Sequence, residues 1–251
     1  MKITFKTDIG YSRAENQDNY RAGWENKNQI WAVMCDGMGG ANGGALASRI
    51  ACDTVEECLN NSLYNGIGGE ETEKLMREAL KKVNTKIFNC AKQDITLSGM
   101  GTTAVLAVLN GYKLYLAHAG DSRAYLYSKK NNTVTQLTRD HSMVQELVEK
   151  GSITEEEAYT HPRKNLITRA LGVAPEISVE FGSSDVEKGD LVFLCTDGLS
   201  NYITPQGFCD ILSVTPFYQT AAVMVDTALK AGGNDNVSVL VIMADTDTED
   251  N

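Results

Sequence analysis

Apolar and polar positions change period along the chain. Short alternating or fully apolar runs at Ile3–Ile9, Asp18–Trp24 and Ile30–Cys35 predict three strands. Two stretches of helical period follow. One places Ala47, Ile50, Ala51, Val55 and Leu59 on one face; the other places Leu75, Met76, Ala79, Leu80, Val83, Ile87 and Ala91. Strand patterns resume at Thr102–Leu109, Lys113–Ala119 and Arg123–Tyr127. A polar, helix-prone stretch, Met143–Tyr159, leads into a loop around His161-Pro162-Arg163. Ile177–Phe181 and Leu191–Cys195 predict strands, Pro205–Leu212 and Gln219–Ala231 helices, and Val237–Met243 a closing strand. Strands and helices come in blocks rather than in alternation. That pattern predicts an α+β fold with largely antiparallel sheets.

Composition narrows the class. With 251 residues, 42% apolar and 22% charged, the chain is long enough to bury a core without staples. Its longest apolar runs, such as Ala104–Leu109, have six residues, far short of the about 20 that cross a bilayer. The start, Met1-Lys2-Ile3-Thr4-Phe5-Lys6, lacks the apolar stretch of a signal peptide. The net charge of −10 disfavours a polyanionic partner such as nucleic acid. Six cysteines occur without a Cys-x-x-Cys pair, which disfavours zinc ribbons and thioredoxin-like sites. Reduced thiols and the absence of an export signal predict a cytoplasmic protein.

Several chemistries are missing. There is no His-Glu-x-x-His zinc motif and no Gly-x-Ser-x-Gly elbow. No cysteine is followed six residues later by arginine, so the cysteine-dependent phosphatase loop is absent. The glycine-rich stretch Gly37–Gly44 has no Gly-Lys-Ser/Thr ending, so it is not a nucleotide-binding loop.

Aspartates, by contrast, recur at the ends of predicted strands. Asp36-Gly37 follows Ile30–Cys35, Asp121 follows Lys113–Ala119, Asp197-Gly198 follows Leu191–Cys195, and Asp235 precedes the last strand. Asp-Gly and Asn-Asp-Asn are also ordinary turn signals, and each taken singly reads as a turn. Four together beside apolar strands point to convergent carboxylates. Oxygen-only ligands of that kind suit Mg²⁺ or Mn²⁺.

The ordered set Asp8-x-Gly10-x-x-Arg13-x-x-Asn16-Gln17-Asp18, Asp36-Gly37-Met38-Gly39-Gly40, Gly99-x-Gly101-Thr102-Thr103, Gly120-Asp121-Ser122-Arg123, Thr196-Asp197-Gly198-Leu199 and Asp235-Asn236-Val237-Ser238 resembles the metal-dependent protein phosphatases of type 2C, in their bacterial serine/threonine form. The resemblance runs from about Thr4 to Met243. It implies a four-layer αββα sandwich of two antiparallel sheets flanked by helices. Residues 1–244 would be one catalytic domain with a flap at about 143–169, and 245–251 an acidic tail. Two Mn²⁺ or Mg²⁺ ions would sit at one end. Asp36 would bridge them, Gly37 would bind the second through its carbonyl, and Asp197 and Asp235 would hold the first. Asp121 with Asp197 would hold a third, weaker metal, Asp18 would act through water, and Arg13 would grip the substrate phosphate with its guanidinium fork. The implied reaction is hydrolysis of phosphoserine and phosphothreonine by a hydroxide bridging two cations about 3.5–4 Å apart. The implied partners are phosphoproteins, substrates of a bacterial-type kinase, met by a monomer without a membrane span.

Two positions depart from the family pattern. Gln17 stands where many members carry Glu, so the second cation loses a charged neighbour. Ala41 stands where many carry a histidine proposed to protonate the leaving group. Arg163, Lys164 and Arg169 in the flap would meet acidic or phosphorylated substrates, or serve as solvated loop charges. His141 reads as structural and His118 as a core or cleft-wall residue. A ligand-poor regulatory phosphatase fold is disfavoured by retention of Arg13, Asp36, Asp197 and Asp235. A hydrolase of small phosphorylated metabolites stays open as an alternative.

Overall fold

A computed structural model describes residues 1–64 and 66–245; Asn65, residues 246–251 and the side chains of Ala41 and Asn42 lie outside it. In chain order it contains β1 (Lys2–Asp8), β2 (Asp18–Asn26), β3 (Gln29–Met38), α1 (Gly40–Ser62), α2 (Gly69–Gln93), β4 (Gly101–Thr102), β5 (Ala104–Asn110), β6 (Lys113–Ala119), β7 (Arg123–Ser128), β8 (Thr133–Gln136), α3 (Met143–Glu149) and α4 (Glu155–Thr160). Then follow β9 (Glu180–Asp185), β10 (Leu191–Cys195), α5 (Asp197–Ser200), α6 (Pro205–Val214), α7 (Phe217–Ala231) and β11 (Val237–Met243). One sheet has the order β1-β11-β10-β7-β8. The other runs β2-β3-β5-β6-β9, with β4 pairing on the end of β3.

The unbroken apolar runs are explained by burial on both faces. From β3, Ile30, Ala32 and Met34 point between the sheets, where they meet Val105, Val192, Leu194, Leu240 and Ile242. The alternate residues Trp31, Val33 and Cys35 pack beneath α1 and α2, against Val55, Leu59, Met76, Leu80 and Val83. In the other sheet Phe193, Cys195, Val239 and Val241 pack beneath α6 and α7, against Phe208, Met224 and Val225. Period 2 in the strands therefore feeds two different layers, and the result is the αββα order implied by the resemblance.

Three expectations change in detail. Thr102–Leu109 is not one strand: it breaks at Thr103, whose backbone N–H donates to the Asp36 carbonyl at 2.9 Å. Met143–Tyr159 is not one helix. It stops at Lys150, and Gly151 adopts a φ of 66° before Thr154 caps a second helix by accepting from the Glu157 N–H. The strand expected at Ile177–Phe181 starts later, at Glu180, while Ile177 and Val179 pack on the helical core. The polar strand β8 carried no period-2 apolar signal. The expected acidic tail lies outside the described residues apart from Asp245, whose carboxylate accepts from Lys2 Nζ at 2.8 Å. All six cysteines are free, and no described helix is long and apolar enough to cross a membrane.

Leu240 is fully buried between the sheets, whereas Val214 is 80% exposed. Leu240→Ala is expected to cost about 2–5 kcal/mol in chemical denaturation, and Val214→Ala less than about 0.5 kcal/mol. Equal losses would place the core elsewhere.

Candidate active site

Antiparallel pairing brings the strand-end aspartates to one end of the sandwich. Asp18 opens β2 directly opposite Asp36 near the end of β3. Asp121 follows β6, Asp197 follows β10, and Asp235 precedes β11, whose Val239 pairs with Cys195 at the end of β10. Asp36, Gly37, Asp121, Asp197, Asp235 and Arg13 line one cleft of about 530 Å³.

Each carboxylate is held by its own backbone and polar neighbours. The Asp36 N–H donates to Thr103 Oγ1 at 2.9 Å, and its carbonyl accepts from Thr102 Oγ1 at 2.8 Å. With its main chain satisfied in this way, the Asp36 side chain is left to the cleft. Gly37 must be glycine because a Cβ there would overlap the Gly44 carbonyl in α1. Asp197 begins α5 and accepts from Asn201 Nδ2 at 3.1 Å. Asp18 Oδ2 accepts from Thr196 Oγ1 at 2.9 Å and Ser238 Oγ at 2.6 Å. Thr7 and Asn16 extend that chain: Asn16 Nδ2 donates to Thr7 Oγ1, which sits 2.8 Å from Ser238 Oγ. Asn236 ties the Arg13 loop to β11. Its Oδ1 accepts from the Gln17 N–H, and its Nδ2 donates to the carbonyls of Ile9 and Glu15.

Crowding leaves its mark on protonation. Burial, then the charges of Asp18 and Asp197, hold the Asp36 carboxyl well above the usual range. Burial pushes Asp18 up to about 7, against the pull of its Ser238 and Thr196 hydrogen bonds. Burial and then Asp197 push Asp121 up to about 8, and burial and then Asp235 push Asp197 up to about 6. Two like charges about 5 Å apart repel by about 3 kcal/mol at an effective dielectric of about 20. The Asp18 Oδ1 atom is sealed from solvent with no hydrogen-bond partner. An orphaned carboxylate oxygen beside repelling carboxyls, with only oxygen donors around, fits hard divalent cations.

Arg13 forks onto Asp235, with Nε 2.8 Å from Oδ1 and Nη2 2.7 Å from Oδ2. Arg13 lines the cleft, where its fork is engaged by this carboxylate, and the Asp235 hydrogen bond is the main reason its guanidinium is held more firmly charged. Gln17 lines the cleft and donates through Nε2 to the Gly40 carbonyl at 3.0 Å. The side chain of Ala41 lies outside the described residues. From the flap the cleft takes Asn165 and Ile167, not the three cations. Lys164 lines a neighbouring cleft of about 550 Å³, Arg163 is exposed, and Arg169 turns inward to His141. The sequence reading did not assign Thr103, Thr196, Ser238 and Asn236. They are polar residues inside or beside apolar strands, which is the signal that they serve buried partners.

An arginine-rimmed cleft of convergent carboxylates at one end of a four-layer sandwich is the layout of a metal-dependent phosphatase. The family description "Protein phosphatase 2C" matches residues 11–235. A serine/threonine phosphatase named stp from Listeria welshimeri is 38% identical over 244 residues, 96% of this chain and 95% of that protein. The crystal structure of Stp1 from Staphylococcus aureus is similar with a TM-score of 0.89 at 31% identity, covering 96% of this chain and 94% of that one. The catalytic domain of the phosphatase PstP in complex with two manganese ions is similar with a TM-score of 0.82 at 32% identity, covering 96% of each chain. The chain therefore belongs to the protein phosphatase 2C family.

Carboxyls held above their unfolded value of 3.8 keep protons that an unfolded chain releases. That contribution is present below the unfolded value and is lost as pH rises through the folded values of about 6 to 8. Chelated protein should therefore gain more thermal stability from Mn²⁺ at about pH 8 than at about pH 5, where protons already compensate the carboxylates. A gain that is equal at both, or larger in acid, contradicts this electrostatic account.

Proposed function

We propose that the chain hydrolyses phosphoserine and phosphothreonine in proteins at this cleft, with two Mn²⁺ or Mg²⁺ ions as cofactors. The observation that carries the reading is the meeting of Asp36, Asp121, Asp197 and Asp235 from four separate stretches with Arg13 in one cleft. Asp36 would be shared by both cations, Gly37 would offer its carbonyl to one, and Asp197 and Asp235 would hold the other. Asp121 with Asp197 would hold a third, weaker ion. Asp18, fixed by Thr196 and Ser238, would act through an ordered water. When bound, the cations supply charge neutralisation, Lewis acidity and access to hydroxide at neutral pH.

The remaining work falls to the protein. Arg13, whose planar fork rests on Asp235 in this structure, would turn that fork to phosphate oxygens, and the Asn236 hydrogen bonds to its loop would fix the direction of approach. The β3–β4 contacts at Thr102 and Thr103 hold Asp36 still while charge develops on the phosphoryl group. Direct attack by hydroxide would need no covalent phosphoenzyme, which fits a cleft that no cysteine lines among the described residues. Six unpaired thiols fit a reducing, cytoplasmic setting. There the substrates would be proteins modified by a bacterial-type serine/threonine kinase, and the enzyme would act as a monomer.

Mn²⁺-dependent release of phosphate from phosphothreonine peptides should fall by about a thousandfold in Asp36→Asn, since one residue serves both cations. Arg13→Ala should raise KM by about tenfold or more with a smaller change in kcat, as expected for a contact made equally before and during reaction. Activity that survives complete chelation, or an Asp36→Asn enzyme with wild-type kcat, rejects the reading.

A further inference from the structure

We infer that His141 is a positioning residue whose ring and main chain together fix the Gly120–Asp121 loop at the cleft. The inference rests on Asp121 being a cation ligand in the function proposed above. Both backbone polar groups of Gly120 go to this one residue. The Gly120 N–H donates to His141 Nδ1 at 3.1 Å, and the His141 N–H donates to the Gly120 carbonyl at 3.0 Å. Asp121 is the next residue in the chain, so its backbone begins at that clamp.

The ring is itself held on all sides. Because Nδ1 accepts, the ring proton sits on Nε2, which donates to Glu180 Oε2 at 3.1 Å. Glu180 opens β9 in register with His118 of β6. The His118 ring stacks on that of His141, with centroids 4.7 Å apart and planes 10° from parallel, and its Nε2 donates to the Arg139 carbonyl at 2.7 Å. Both imidazoles are buried, and burial is the main cause of their lowered pKa.

Among the described residues, His118, His141 and Glu180 are the only group of three metal-ligand types with donor atoms within 4.8 Å of one another. The hydrogen bonding argues against a metal there. A neutral imidazole that gave its Nε2 lone pair to a cation would carry its proton on Nδ1, pointed at the Gly120 N–H. Arg169 Nη1, 3.3 Å from Nε2, adds a positive charge beside it. The cluster is built to orient, not to ligate.

The same turn also holds the flap. The Thr168 N–H donates to the His141 carbonyl at 2.7 Å, the Met143 N–H donates to the Leu166 carbonyl at 2.9 Å, and Ser142 bridges to Ile167. Asn165 and Ile167 line the active cleft. Next door, Asp140 accepts the Arg123 guanidinium at 2.7 Å, which fixes the far side of the Asp121 loop. His141 is thus where the flap base and the Asp121 loop share one set of hydrogen bonds.

The test compares His141→Asn with His141→Gln in the Mn²⁺-loaded enzyme. Asn Oδ1 reaches the place of Nδ1 and keeps the bond to Gly120. Gln reaches the place of Nε2 and keeps only Glu180. Amide hydrogen exchange at Gly120 and calorimetric Mn²⁺ titration of the weak site are read together, with melting temperature as the control for folding. His141→Gln should speed Gly120 exchange by about tenfold, the loss of about one hydrogen bond. It should weaken the weak Mn²⁺ site by a similar factor while the two tight sites hold. His141→Asn should stay within about threefold of wild type on both readouts. Wild-type behaviour of the Gln variant, or equal damage in both variants, overturns the inference. Faster Gly120 exchange with an unchanged weak site would instead remove Asp121 from the ligand set and leave the clamp standing.

Discussion

Repulsion among carboxylates is the constraint on which the rest of this structure depends. Asp18, Asp36, Asp121 and Asp197 are all pushed above their ordinary range, each first by burial and then by a neighbouring carboxylate: Asp197 acts on the first three, and Asp235 acts on Asp197. A flexible loop would relieve such crowding by moving apart. Here the acids sit at the ends of strands whose middles are locked between two apolar layers, so the sandwich forbids that escape. The same rigidity that makes the cluster costly for the bare protein would suit it to small, highly charged cations.

The polar shell explains how the cluster stays in place. Thr102 and Thr103 hold the Asp36 backbone, and Thr196 and Ser238 hold the Asp18 side chain. Asn236 stitches the Arg13 loop to β11, and His141 with Asp140 brackets the Asp121 loop. Apart from the His141 ring and the Arg123 guanidinium that Asp140 holds, these partners are short polar residues on or beside strands. The Arg13 fork on Asp235 also joins the group proposed to bind phosphate to one proposed to hold a cation, so neither is independent of the other.

Much of this was legible in the amino-acid sequence, and the reasons are physical. The unbroken apolar runs Ile30–Cys35 and Val239–Ala244 mark strands, and both lie where expected, in β3 and β11. The convergence of Asp36, Asp121, Asp197 and Asp235 followed from their common placement at strand ends. What was hidden depended on tertiary partners. The break at Thr103 comes from a hydrogen bond to a residue 67 positions away, and no local pattern encodes it. The strand β8 is polar and was invisible to periodicity. His141 was read as structural, yet its grip on Gly120, 21 residues upstream, appears only in three dimensions.

The most direct test is anomalous scattering from crystals soaked in manganese. The account predicts two strong peaks within coordination distance of Asp36, flanked by Asp197 and Asp235, and none at the His118–His141–Glu180 cluster. A map with no peak at Asp36, or with manganese between the two histidines, would contradict it.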